Sequence, residues 1–299
     1  MIAPPSLQLG DTIGVMATSC WLEEQELLDT KQFVEEHGYQ VYIHPQATHR
    51  LNQSAGSAEE KLNAFHDLIR NPDVKMIMSA RGGNRASTFL GGIDWNLVKQ
   101  NPKILIGYSD MTSLLNAAYV RTGLITYHGP VFRELPTRGE DLQQMLSLLS
   151  GEATAIPLGN TIKTLKGDPE NVTGTLHGGN LSLLQTMIGT PNEPDMTGSI
   201  LFIEDVGDHL SRYDRMLAHL RLAGWFEKIS GLIVGDFTNV QESEGRPFGF
   251  TLEDILLEHS EGYDFPIMTG AAFGHGDNLP TFAIGQALRW ENSQLCIKA

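Results

Sequence analysis

A serine placed between an apolar run and a helical pattern can do one of two things. In "ILIGYSDMTSLLNAA", residues 104–118, Ser109 follows an apolar run that closes at Gly107. Asp110 comes next, then a helix-like segment reaching Thr122 with Gly123 beyond it. As an N-cap, the hydroxyl accepts a hydrogen bond from a backbone N–H of the first turn, which is a common role for serine. As a nucleophile, it is held up by a sharp strand-to-helix turn at the carboxyl edge of a sheet. The N–H of the following residue then faces the developing oxyanion. Met111 departs from the G-x-S-x-G pattern, so the local sequence leaves both readings open.

A serine nucleophile needs a base, and the base needs an orienting carboxylate. His275, in "AAFGHGDNLPTFAIG", lies between two glycines in a loop that follows an apolar stretch, and such loops carry catalytic groups. His128, in "TYHGP" at the end of another strand-like run, competes with it, whereas His44, His49 and His66 occupy strand-end, surface or helix positions. For the acid, "ILFIEDVGD" sets Glu204 and Asp205 where an apolar strand runs out. The pair reads either as a solvated turn or as an ordered anion for an imidazole. The stretch "SARGG", residues 79–83, also follows a strand-like run, and glycine lets backbone approach a substrate closely. Arg81 within it suits bidentate pairing with a substrate carboxylate and equally a surface salt bridge.

These residues need a frame. Residues 12–17, 39–44, 74–80 and 103–108 are short apolar strands, and 22–37 and 57–70 are helical in pattern. Ser57 with Glu60 forms a capping box, and Pro72 lies past the second helix. Strands that are apolar almost throughout suit a parallel sheet covered on both faces. The rhythm predicts an α/β, doubly wound, mostly parallel domain over 1–135, carrying the serine turn. Residues 136–172 bring prolines, glycines and weaker periodicity, and are expected to cross to a second domain. Over 173–299 a helix near 180–189, strands at 198–205 and 231–237, a long helix near 209–223 and late strands at 282–288 and 293–298 predict a smaller α+β domain. That domain carries Glu204 and His275.

Composition bounds the partners. The 299 residues carry 21 Lys+Arg against 36 Asp+Glu, a formal net charge of −15, which argues against nucleic acid or an anionic membrane surface. Cys20 and Cys296 lie at opposite ends, form no metal or redox pair, and read as isolated thiols. The N-terminal residues read as a first strand rather than a signal peptide, and no window approaches the ~18 apolar residues of a membrane span. A cytoplasmic location is therefore expected. No HExxH or clustered Cys/His site is present, so no metal or cofactor is expected.

Nine segments in one order resemble the LD-carboxypeptidase family, the serine peptidases of muramyl tetrapeptide recycling, together with their microcin-immunity relatives. They are "GDTIGVMATS", "SARGG", "IGYSDMTSLL", "ITYHGP", "GTLHGGNLSLLQTMIGTP", "ILFIEDVGD", "RYDRMLAHLRLAG", "GLIVGDF" and "FGHGDNLPTFAIG", and they span nearly the whole chain. The resemblance implies Ser109 as nucleophile, Glu204 as the orienting acid and His275 as base, in a cleft between the domains. It also implies an oxyanion hole formed by the backbone N–H of Asp110 and one from the glycine pair, taken as Gly83. The sequence departs here from the family's R-G-G-Y-G, reading Arg81-Gly82-Gly83-Asn84-Arg85. The implied activity is hydrolysis of an L-to-D peptide bond that releases the terminal D-alanine of a murein tetrapeptide in cell-wall recycling. The substrate is thus a small peptide or muropeptide, and the working form a homodimer. The alternatives are a microcin-immunity-like peptidase acting on a peptidyl-nucleotide, and a non-catalytic ligand-binding α/β protein. The former calls for an aromatic platform, for which Trp225 and Trp290 exist but in structural-looking contexts.

Overall fold

The structure is a computed structural model that describes residues 1–242 and 245–297. In chain order the elements are β1 (Thr12–Met16), α1 (Glu24–Glu36), β2 (Gln40–Ile43), α2 (Ala58–Arg70), β3 (Val74–Ser79), α3 (Trp95–Gln100), β4 (Ile104–Gly107), α4 (Thr112–Thr122), β5 (Thr126–His128) and α5 (Gly139–Ser150). There follow β6 (Ala155–Pro157), β7 (Lys163–Lys166), β8 (Thr173–Asn180), α6 (Leu181–Leu184), β9 (Ser199–Val206), α7 (Leu210–Leu222), β10 (Gly231–Thr238), α8 (Leu252–His259) and β11 (Ile267–Thr269). β12 (Phe282–Ile284), β13 (Ala287–Glu291) and β14 (Gln294–Ile297) close the series. The chain forms two compact units: Met1–Thr154 with Pro280–Gly285, and Ala155–Leu279 with Gln286–Ala299.

The first unit is an α/β layer structure on a sheet ordered β12-β5-β4-β3-β1-β2, parallel throughout except for β12, which runs antiparallel to β5. Ile13 and Val15 of β1 face a core shared with Leu27 and Val34 of α1 and Met145 and Leu149 of α5. Gly14, between them, points the other way: a Cβ there would stand 2.9 Å from the Leu68 side chain of α2. Helices thus cover both faces, as the unbroken apolar strands require. The capping box of Ser57 and Glu60 starts α2. β1, β3 and β4 are neighbours, so the three loops leaving their carboxyl ends, at 17–23, 80–86 and 108–111, lie side by side.

The second unit carries an eight-stranded sheet ordered β6-β14-β13-β8-β9-β10-β11-β7. β8 to β11 are parallel, and antiparallel strands finish both edges. The core beneath α7 and α8 joins Leu201 and Ile203 of β9 to Tyr213, Leu217 and Leu220 of α7 and to Ile255 of α8.

Two stretches differ from the sequence reading. Residues 136–172 hold α5, β6 and β7 rather than a bare crossing, because Leu142, Met145, Leu148 and Leu149 make a buried stripe despite flanking glycines. The single late strand expected over 282–288 is two strands. Gly285 takes a φ of +86° and turns the chain, so β12 joins the first sheet and β13 the second.

His177 in β8 is buried, and burial pushes its imidazole pKa down to about 4. Between that value and the ordinary 6.5, the unfolded chain binds the proton that the native state refuses. Stability therefore falls as pH drops through this window, by up to ~3 kcal/mol from this residue. Urea unfolding of wild type and His177→Gln at pH 7 and pH 4.5 checks this: the variant loses less stability on acidification. Equal losses would remove His177 as the cause.

Candidate active site

The turn that carries Ser109 belongs to the first unit. Buried β4 ends at Gly107, where a Cβ would stand 2.8 Å from the Met111 side chain, so only glycine lets the following turn close this tightly. Ser109 then adopts a φ of +59°, a left-handed conformation that costs a non-glycine residue about 1–3 kcal/mol and is retained where function demands it. A short 3-10 turn, Ser109–Met111, leads into α4, and neither segment takes a side-chain cap at its N-terminus. Ser109 is thus the first residue of the 3-10 turn, in a left-handed strand-to-helix bend.

The loop after β3 meets this turn. Gly82 lies against the serine: a Cβ on it would be 3.4 Å from Ser109 Cβ and 3.6 Å from Oγ. Gly83, at φ +137°, packs instead on Cys20, whose sulfur would collide with any side chain there. Arg81 is half-buried, and its guanidinium makes no ion pair among the described residues. Asp110 is buried, and its carboxylate accepts from Ser19 Oγ at 2.5 Å and from the Ala86 N–H at 2.7 Å. Sequence reasoning named the backbone of Asp110 but not its side chain, and from the glycine pair it took Gly83 rather than Gly82.

The acid and the imidazole belong to the second unit. Glu204 lies in β9, fully buried, and its Oε2 is 2.6 Å from His275 Nδ1. Burial raises the Glu204 pKa, and the hydrogen bond and charge of His275 oppose that rise. The loop holding His275 crosses the end of β10, where the β9 pairing is irregular between Val234 and Phe237. The Asp236 N–H donates to Phe273 O at 2.7 Å. Gly274, at φ +122°, passes so close that a Cβ would be 2.9 Å from Glu204 Cβ, and Gly276 is pressed against the Asp236 carboxylate. A side chain at Gly274 would collide with the acid that His275 bonds, and one at Gly276 would collide with Asp236. Burial, with the charge of Asp277 behind it, raises the Asp236 pKa.

The competing residues have other occupations. Asp205 accepts from Asn180 Nδ2, from Ser182 N and Oγ, and from the Val206 N–H, fixing the start of α6. His128 is buried in the first unit, its ring stacked on Phe282 and edge-on to Tyr108. His44 accepts from Gln46 N, His49 pairs with Glu60, and His66 accepts from Asp94 N. The structure therefore groups Arg81, Gly82, Gly83, Ser109 and Asp110 in one unit, and Glu204 with His275 in the other.

Residues 13–129 match the LD-carboxypeptidase N-terminal domain and residues 173–289 the LD-carboxypeptidase C-terminal domain, and the chain belongs to this family of peptidases. It is 33% identical to a probable murein peptide carboxypeptidase of Bacillus subtilis over 91% of this chain and 86% of that one. Among solved structures, the microcin C7 self immunity protein MccF in its wild type apo state superposes with a TM-score of 0.86 at 25% identity, over 100% of this chain and 99% of that one. The muramoyltetrapeptide carboxypeptidase of Oxalobacter formigenes gives 0.79 at 26% identity, over 95% and 97%.

Proposed function

We propose that the chain is a serine peptidase in which Ser109, Glu204 and His275 act as one triad. On this reading it removes the terminal D-alanine from murein tetrapeptides in cell-wall recycling. The observation that carries this is the buried Glu204 carboxylate held 2.6 Å from His275 Nδ1. An imidazole donating its Nδ1 proton to an acid keeps its other lone pair on Nε2, the tautomer a general base requires. Ser109 Oγ attacks the scissile carbonyl while His275 Nε2 takes its proton. The Asp110 N–H and a glycine N–H of the 81–86 loop bind the oxyanion. The proton passes to the departing amine of D-alanine, and water, activated by the same imidazole, then releases the peptide from Ser109. Arg81, whose charge has no partner among the described residues, suits the terminal carboxylate of the substrate.

The likeness to the MccF protein supports a second reading, cleavage of a peptidyl-nucleotide. The aromatic platform it calls for is not offered by Trp225, which is buried and donates to Glu193, nor by Trp290, which is buried in β13. Side-by-side kcat/KM values on a free tetrapeptide ending in D-alanine, its L-alanine isomer, and a peptidyl-nucleotide separate the two. Inverting the last Cα exchanges methyl and hydrogen, so an anchored carboxylate then misplaces the carbonyl, and an error of about 1 Å costs roughly a hundredfold. The D-terminated peptide is expected to win by that factor or more. Equal rates on the two isomers would remove the LD-carboxypeptidase reading, and preference for the nucleotide would install the other. In keeping with the family resemblance we take the working form to be a cytoplasmic homodimer.

A further inference from the structure

A buried polar network lies beneath the loop 81–86, all of it within the first unit. At the loop's start, Ser79 Oγ donates to Arg81 O at 2.7 Å, and Thr18 Oγ1 lies 2.8 Å from Ser79 Oγ. At its end the Ala86 N–H donates to Asp110 Oδ2, which also takes the Ser19 hydroxyl. Ser19 and Thr18 are themselves 3.4 Å apart, so one run of hydroxyls underlies both ends. Lys61 of α2 is fully buried, and its ammonium has no hydrogen-bond acceptor among the described residues. Burial raises the Asp110 pKa, whereas Ser19, Ala86 and the Lys61 charge favour its ionised form. Arg85, just before the anchored Ala86, is held at φ +82°, a conformation that relaxes once the loop end is released.

We infer that the Asp110 side chain is a positioning residue for catalysis, tethering the 81–86 loop so that Gly82 stays against Ser109. Three features carry this. The carboxylate and the proposed oxyanion-binding N–H belong to one residue, so the loop and the donor share an anchor. The Ala86 N–H is buried, and without Asp110 it loses its acceptor, so the loop has a reason to shift. Finally, Gly82 faces the serine so closely that a Cβ added to it would touch Ser109, so a shift of the loop moves a wall of the proposed reaction site. The catalytic part of this inference rests on the serine-peptidase reading; the anchoring part does not.

The test uses the full chain with Asp110→Ala, Asp110→Asn and Ser19→Ala. Asparagine keeps an oxygen for the Ala86 N–H, while alanine does not. Asp110→Ala is expected to lower kcat by about a hundredfold with KM changed less than about threefold, and Asp110→Asn is expected to recover most of that loss. A peptide boronate, which forms a tetrahedral adduct on serine, is expected to weaken in parallel with kcat/KM, while the affinity of the cleaved peptide product holds. A merely structural role would not separate those two ligands. Amide hydrogen exchange supplies an activity-independent reading: protection across Gly82–Ala86 falls in Asp110→Ala and is kept in Asp110→Asn. Wild-type protection in Asp110→Ala overturns the anchoring. Lost protection with wild-type kcat overturns the catalytic role. A wild-type chain that neither cleaves peptides nor binds the boronate overturns the serine-peptidase reading and the catalytic role with it, and the exchange result still decides the anchoring.

Discussion

Ser109→Ala leaves a folded protein that turns over peptide at least three orders of magnitude more slowly than wild type. Loss of a triad nucleophile leaves only residual binding and oxyanion effects, and removing it alone costs about as much as removing the whole set. Activity within about tenfold of wild type would remove Ser109 as nucleophile. The turn adds a second, opposite-signed expectation. Because Ser109 sits at φ +59°, neither serine nor alanine is at ease there, whereas glycine is. Ser109→Gly is therefore expected to be about 1 kcal/mol more stable than Ser109→Ala in urea unfolding, though equally inactive. An alanine variant as stable as the glycine one would show that the turn stores no strain.

Glu204→Gln and His275→Ala are each expected to lower kcat by about three to four orders of magnitude. Either combined with Ser109→Ala should cost almost nothing further, since groups acting as one unit are strongly non-additive. Glutamine keeps the shape of Glu204 and removes a buried charge, so the fold is expected to hold its stability or gain some. Asp205→Asn is expected to do the reverse: it weakens a carboxylate taking four hydrogen bonds at the head of α6, costing about 1–3 kcal/mol of stability. Full additivity of Ser109→Ala with His275→Ala would mean that the two do not work on the same proton. A larger kcat loss from Asp205→Asn than from Glu204→Gln would transfer the acid's role.

The sequence was most legible where a signal is local. Ser57 and Glu60 announce α2 because a capping box closes within four residues, and the apolar strands announce a sheet with two covered faces. Ser109, Glu204 and His275 could be put forward as candidates because each stands beside a strand end with glycine or charge in a recognisable order. What could not be read is what depends on partners distant in the chain. Nothing near Asp110 says that its carboxylate binds Ser19 and Ala86, and nothing near "FAIGQAL" says that the Gly285-Gln286 step separates strands of two different sheets. The choice between Glu204 and Asp205 is of the same kind. Both lie at one strand end, and only the separate demands of His275 and of α6 divide them.

The return of β12 to the first sheet bears on how this chain comes off the ribosome. The first sheet lacks its edge partner for β5 until residue 284 has been made, and the second lacks β13 and β14 until residue 297. Neither unit can therefore finish ahead of the other during synthesis, although most of the first is translated early. A nascent chain cut off between β11 and β12 exposes an open strand edge at β5 and another at β8, the kind of surface that pairs with a neighbour and aggregates. Premature termination is thus an all-or-nothing event for this fold, and a half-length fragment should depend on chaperones rather than persist as an independent domain.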